Sequence, residues 1–78
     1  MTESNTLPKY LEYYSEWKIA LQQAQSWLEM KAVYIKGLAL SGILREMLDA
    51  DTISPIIALE IINEVSEETQ DKFNIYIN

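Results

Sequence analysis

The chain holds only two prolines, Pro8 and Pro55, and only two glycines, Gly37 and Gly42. Proline breaks a helix interior but is tolerated in a first turn. Placed at residues 8 and 55, the prolines leave two long uninterrupted runs. Thr6 precedes the first and Ser54 the second, and both side chains are good helix N-caps. Helix starts are therefore predicted near residues 8 and 54, and the shortage of breakers favours long helices between turns.

The apolar spacing supports this. Tyr10, Tyr14, Trp17, Leu21, Ala24 and Leu28 recur in steps of four and three, a heptad seam. Tyr13, Ala20, Trp27 and Tyr34 form a second line beside it, seven residues apart each time. The predicted buried face is thus wide, with an aromatic edge, as in a helical bundle. Beyond Lys31 a new stripe (Val33, Gly37, Leu40, Leu44, Met47) lies on roughly the opposite side at ~100° per residue. Either one helix changes its buried face or the chain breaks near Lys31–Lys36, and a break is the preferred reading. Asp49 to Thr52 forms a turn, and Ser54-Pro55 opens a last helix.

The expectation is an all-α fold of three helices, about 8–31, 33–50 and 54–71. They would form a small bundle or a hairpin that oligomerises. Residues 1–78 make a single small domain, with 1–6 and 73–78 as tails. The end of the chain, Phe73-Asn74-Ile75-Tyr76-Ile77-Asn78, alternates apolar and polar like a strand but has no second strand to pair with. Gly37 and Gly42 weaken the middle helix by ~1 kcal/mol each relative to alanine, and they permit close approach of another helix.

Composition narrows the chemistry. The chain has no cysteine and no histidine. Disulfides, thiolate metal sites, the usual general base and the commonest metal ligand are therefore excluded. The serines lack a histidine to activate them, and there is no glycine-rich phosphate loop. No catalytic residue, cofactor or metal ligand is assigned, and the expectation is a non-enzyme. The net charge of −6 is uneven: residues 45–78 carry eight acids against Arg45 and Lys72. Such a balance argues against direct nucleic-acid binding and fits a basic partner surface or a solvated face. No run without a formal charge is long enough to cross a bilayer. A cytoplasmic, soluble protein is expected.

Two surfaces are candidates for partner binding. Glu60, Glu64, Glu67, Glu68 and Asp71 share one face of the last helix, while Ala58, Ile61, Ile62 and Val65 form its core face. Ile56, Ile57 and Leu59 fall outside that core face, and core packing alone does not require them. Ile56, Ile57 and Leu59 with Glu60 and Glu64 are the first candidate contact set. The second is the aromatic line Tyr13, Trp27 and Tyr34, although aromatics at helical spacing are more often core.

The stretch from Gly37 to Ile62 also resembles a known family. Gly37, Leu40, Leu44 and Glu46, then Ile53-Ser54-Pro55, Ala58-Leu59 and Ile61-Ile62, are similar to the N-terminal helical hairpin of the small (gamma) subunit of general transcription factor IIA. The resemblance covers about a third of the chain. It implies a hairpin completed by helices of another chain, and a nuclear location. That family's β-barrel half has no counterpart before Asn78, so its DNA and TATA-binding-protein contacts are not carried over.

The functional expectation is a small acidic, non-enzymatic protein-binding adaptor, inhibitor or chaperone-like protein acting through helical surfaces. It would be a homodimer or part of a hetero-complex. The alternatives are a subunit of a transcription-factor-IIA-like bundle and, from another class, a carboxylate-based divalent-metal binder or small enzyme.

Overall fold

The computed structural model describes residues 8–77 and shows three α-helices: α1 (Lys9–Gln23), α2 (Trp27–Asp49) and α3 (Pro55–Ile77). No strand occurs among the described residues. The all-α expectation holds, with α2 packed against both α1 and α3. Tyr14, Trp17 and Lys18 of α1 meet Glu64, Thr69 and Glu68 of α3, and further along Ala24 meets Tyr76. This rising order makes α1 and α3 parallel to each other, and α2 runs antiparallel to both.

Two boundaries differ from the sequence expectation. The first helix ends at Gln23, not near residue 31, and the break lies at Ala24–Ser26. Its cause is a capping arrangement. Ser26 Oγ accepts a hydrogen bond from the Glu29 amide at 3.2 Å, and Glu29 Oε1 accepts one from the Gln25 amide at 2.6 Å. The first bond satisfies an amide that the start of a helix leaves without a partner, and the second ties the residue before the cap to the first turn. The aromatic line from Tyr13 to Tyr34 is consequently split between two helices.

The second correction concerns the end of the chain. Residues 73–77 continue α3 and are not an extended tail. Phe73 and Tyr76, three apart, pack together against the core. The helical register also brings two side chains to the last turn of α1, whose carbonyls have no helical partner. Lys72 Nζ donates to the Leu21 carbonyl, and Tyr76 Oη donates to the Ala24 carbonyl at 3.2 Å. A cation at a helix C-terminus also complements its partial negative charge. The expected tail 1–6, with Thr6 as a cap, lies outside the described residues, as does Asn78. Pro8 directly precedes α1, and its carbonyl accepts from the Leu11 amide.

The α2–α3 turn falls where the sequence places it. Asp51 adopts φ 58°, the left-handed conformation that follows many helices. The Thr52 amide returns to the Met47 carbonyl at 2.9 Å and the Asp51 amide to Leu48 at 3.1 Å, closing a Schellman motif. Pro55 then occupies the first position of α3, and the Ser54 carbonyl accepts from the Ala58 amide.

The core lies where the three helices cross. Trp17, Met30, Val33, Leu40, Leu44 and Ala58 have no solvent exposure, and Leu21, Ala24 and Val65 complete the cluster. Gly37 sits at its centre. A Cβ there would stand 3.0 Å from Val65 Cγ1 and 3.5 Å from Trp17 Cδ1, so the missing side chain lets α1 and α3 close onto α2. Trp17 Nε1 donates to Thr69 Oγ1 at 3.0 Å, which provides the buried indole with a partner.

The assembly is flat, with extents of 47 × 27 × 14 Å. Its radius of gyration, 13.8 Å, exceeds the ~11.5 Å of a compact chain of this length. Both α1 and α3 cover the same side of α2. The other side of α2 faces outward.

Candidate protein-binding surface

Helix α2 is apolar nearly all the way round, a property of helices covered on all sides. Here only half of it is covered. Its inner face (Met30, Val33, Gly37, Leu40, Leu44) is buried. Trp27, Leu28, Tyr34, Ile35 and Leu38 are exposed by 48, 68, 52, 63 and 56% of their surface. Isolated exposed hydrophobics are ordinary, but a contiguous group on one helix is a contact-surface signal. Sequence reasoning named Trp27 and Tyr34 but missed Leu28, Ile35 and Leu38. Their spacing of seven and three was the available signal.

One flank of this surface borders a groove between α2 and α3, of about 250 Å³. Gly37 and Val65 form its floor, Tyr34 and Leu38 one wall, and Gln70 and Phe73 the other. Trp27 extends the groove at one end by meeting Phe73 edge-on, with ring centroids 6.3 Å apart. Trp27 and Tyr34 therefore lie on one side of α2, a heptad apart. Tyr13, half-buried on α1, packs against the core instead.

At the start of α3, Ile56, Ile57 and Leu59 are exposed by 70, 45 and 54%. Helical geometry fans them around the outside, since residues one apart differ by ~100°. Ile56 lies in line with Glu60, Asn63, Glu67 and Asp71, all exposed. Leu59 leans toward the groove and Ile57 toward α1.

The acidic face of α3 divides in two. Glu60, Glu67 and Asp71 point outward, whereas Glu64 and Glu68 turn toward α1. Lys18 Nζ lies 2.9 Å from Glu64 Oε2 and 3.1 Å from Glu68 Oε1, and Tyr14 Oη donates to Glu64 Oε2 at 2.8 Å. The hydrogen bonds from Lys18 and then Tyr14 hold the Glu64 carboxyl below its usual pKa. The Lys18 ammonium is raised above its usual value by Glu64 first and Glu68 second. Burial, and then the bond to Glu64, raises the Tyr14 phenol. Lys18 also lies 5.4 Å from the Trp17 ring centroid, so the network sits at the edge of the core. Glu64 thus has intramolecular partners, and the outward acids are Glu60, Glu67 and Asp71. Which carboxylates turn inward depends on where α1 docks, and no spacing within α3 reveals that. Among the described residues, no three acidic side chains converge to hold a metal ion. None of the helices is long and apolar enough to cross a membrane.

No protein-family model, curated protein or solved structure matches the chain. Its functional reading rests on the geometry above.

Proposed function

We propose that this chain is a small non-enzymatic protein-binding adaptor, of the inhibitor or chaperone-like kind, acting through helical surfaces. One observation carries the reading. Large apolar side chains are exposed in contiguous sets on α2 and at the start of α3, while a well-packed interior exists beside them. The fold does not need those side chains for its own core.

The binding set on α3 is Ile56, Leu59 and Glu60, continued by Glu67 and Asp71. An apolar anchor followed by outward acids fits a basic amphipathic segment on the partner. Trp27 and Tyr34 supply a second, aromatic contact at the α2–α3 groove.

Photo-crosslinking tests this. A photoreactive residue at Ile56 or at Leu59 is expected to trap one and the same protein in the native cell. The same residue at Glu12, exposed on α1, is expected not to trap it. Absence of a common adduct at positions 56 and 59 sinks the reading.

A second reading keeps the bundle subunit of the transcription-factor-IIA kind. The open groove over Gly37 favours it, because an antiparallel helix pair with such a groove can be completed by helices from another chain. That reading expects a different, stoichiometric subunit across Tyr34 and Leu38, detectable by crosslinking from those positions.

A further inference from the structure

The face of α2 opposite the core carries an apolar strip, Leu28, Ala32, Ile35, Leu38, Ala39 and Gly42, all exposed, with Lys31 as the charged side chain among them. We propose that this strip binds the same strip of a second copy, with the two α2 helices antiparallel. The proposal rests on the protein-binding reading only in taking the apolar surface of α2 to be a covered one.

Three observations select a second copy as the occupant. The first is shape. Both large and small side chains line the strip. In one antiparallel register Ile35 faces Ala39 of the second copy, and Ala32 faces Gly42. Because a two-fold interface is reciprocal, each pair occurs twice. A parallel pairing would set Ile35 against Ile35 and leave the small residues facing one another.

The second is Gly42. At Gly37 the space of a Cβ is taken by Val65 and Trp17, whereas at Gly42 nothing lies within 4 Å. Glycine weakens a helix interior. Among the described residues nothing uses the gap above Gly42, but a closely packed second helix does.

The third is charge. Lys31 lies within the strip near its Leu28 end, and Glu46 lies just beyond Gly42. The antiparallel register brings Lys31 within reach of Glu46 of the second copy. Along a single helix these two residues are ~22 Å apart and cannot meet.

Sedimentation of the purified chain over a wide dilution range tests the proposal. A monomer–dimer equilibrium is expected. Ile35→Glu should weaken it about a hundredfold or more, because it places a charge at the interface centre. Circular dichroism should be unchanged, since Ile35 is 63% exposed. Glu46→Lys should also weaken the dimer by setting like charges face to face, although it lowers the overall net charge. Adding Lys31→Glu to Glu46→Lys should restore association. Restoration reports contact between chains, and a parallel pairing cannot produce it.

A wild type that stays monomeric throughout overturns the proposal, as does a dimer that survives Ile35→Glu. A Glu46→Lys effect that Lys31→Glu fails to restore overturns the antiparallel register. If monomeric Ile35→Glu still yields the common adduct from Ile56 and Leu59, the protein-binding reading stands independently. If the wild type dimerises but yields no common adduct, that reading fails while this one stands.

Discussion

The two faces of α2 have similar composition and opposite surroundings. On the inner face, Val33, Gly37, Leu40 and Leu44 are enclosed by α1 and α3. On the outer face, Leu28, Ile35 and Leu38 stand more than half exposed. Gly37 is used, because it admits Val65 and Trp17 at contact distance; Gly42 meets nothing. The comparison separates what a helix needs in order to fold from what it carries beyond that need. The inner half of α2 accounts for the bundle. The outer half is apolar surface that the bundle leaves uncovered.

The largest effect should come from the inner side. Trp17→Ala is expected to destabilise the chain by about 3–5 kcal/mol, the range for truncating a buried large aromatic. Trp17 is fully buried and packs beside Gly37, so the change leaves a cavity at the crossing of all three helices. The loss also removes the indole donor from Thr69. Denaturant unfolding measures it. An effect below about 1 kcal/mol would mean that the inner face is not the stabilising one, and the comparison would collapse.

The glycines sharpen the contrast in both directions. Alanine is the better helix former by ~1 kcal/mol, so Gly42→Ala should stabilise the isolated monomer by about that amount. Gly37→Ala gains the same propensity but drives a methyl group to 3.0 Å from Val65 Cγ1. Overpacking of a dense core costs about 1–3 kcal/mol, so the net effect should be destabilising. Combining it with Val65→Ala should recover part of that loss, giving a coupling that Gly42→Ala lacks. Equal effects at the two glycines would erase the distinction between the faces.

How much of this is legible in the sequence depends on which forces set each feature. The turn at Asp49–Thr52 and the start at Pro55 follow from local chemistry and fall as expected. The break at Ala24–Ser26 is equally local, written in Ser26 and Glu29. It is masked because the heptad seam continues through Ala24 to Leu28 across it, and Leu28 is in fact exposed. The helical end of α3 is hidden by the alternation from Phe73 to Ile77. Its true period shows only in Phe73 and Tyr76, which pack inward together. The candidate site divides the same way. The exposure of Ile56, Ile57 and Leu59 agrees with their placement outside the core face of their own helix. The inward turn of Glu64 is a tertiary fact, fixed by Tyr14 and Lys18 some 50 and 46 residues away in sequence.

The polar edge of the bundle offers a weaker test of how α1 is held against α3. Glu64 has a depressed pKa in the folded chain, so its contribution is present above the unfolded value of ~4.3 and is lost as pH falls through the lower folded value. Lys18 has a raised pKa, so its contribution is complete below ~10.4 and is lost as pH rises through the higher folded value. The stability difference between wild type and Glu64→Gln should therefore be flat between those limits and shrink outside them. With partly exposed groups its size should be about 1 kcal/mol or less. Urea unfolding at a series of pH values measures it. A difference that grows on acidification would contradict the assigned network.

The smallest effect carries the most specific information. Val33 and Ile35 are two residues apart on α2, one fully buried and the other 63% exposed. Val33→Ala should destabilise by about 1–3 kcal/mol through lost burial and a new void. In dilute monomer, Ile35→Ala removes almost no intramolecular contact and replaces a β-branched residue with the best helix former. Its effect should lie within about 0.5 kcal/mol of zero, on the stabilising side. At concentrations where the chain self-associates, the same variant should become destabilising, because folding is then linked to association and the lost methyl groups belong to the interface. A change of sign with concentration at Ile35, with none at Val33, would identify the outer face of α2 as an interface. A stability change at Ile35 that ignored concentration would place that side chain in the monomer's own packing instead.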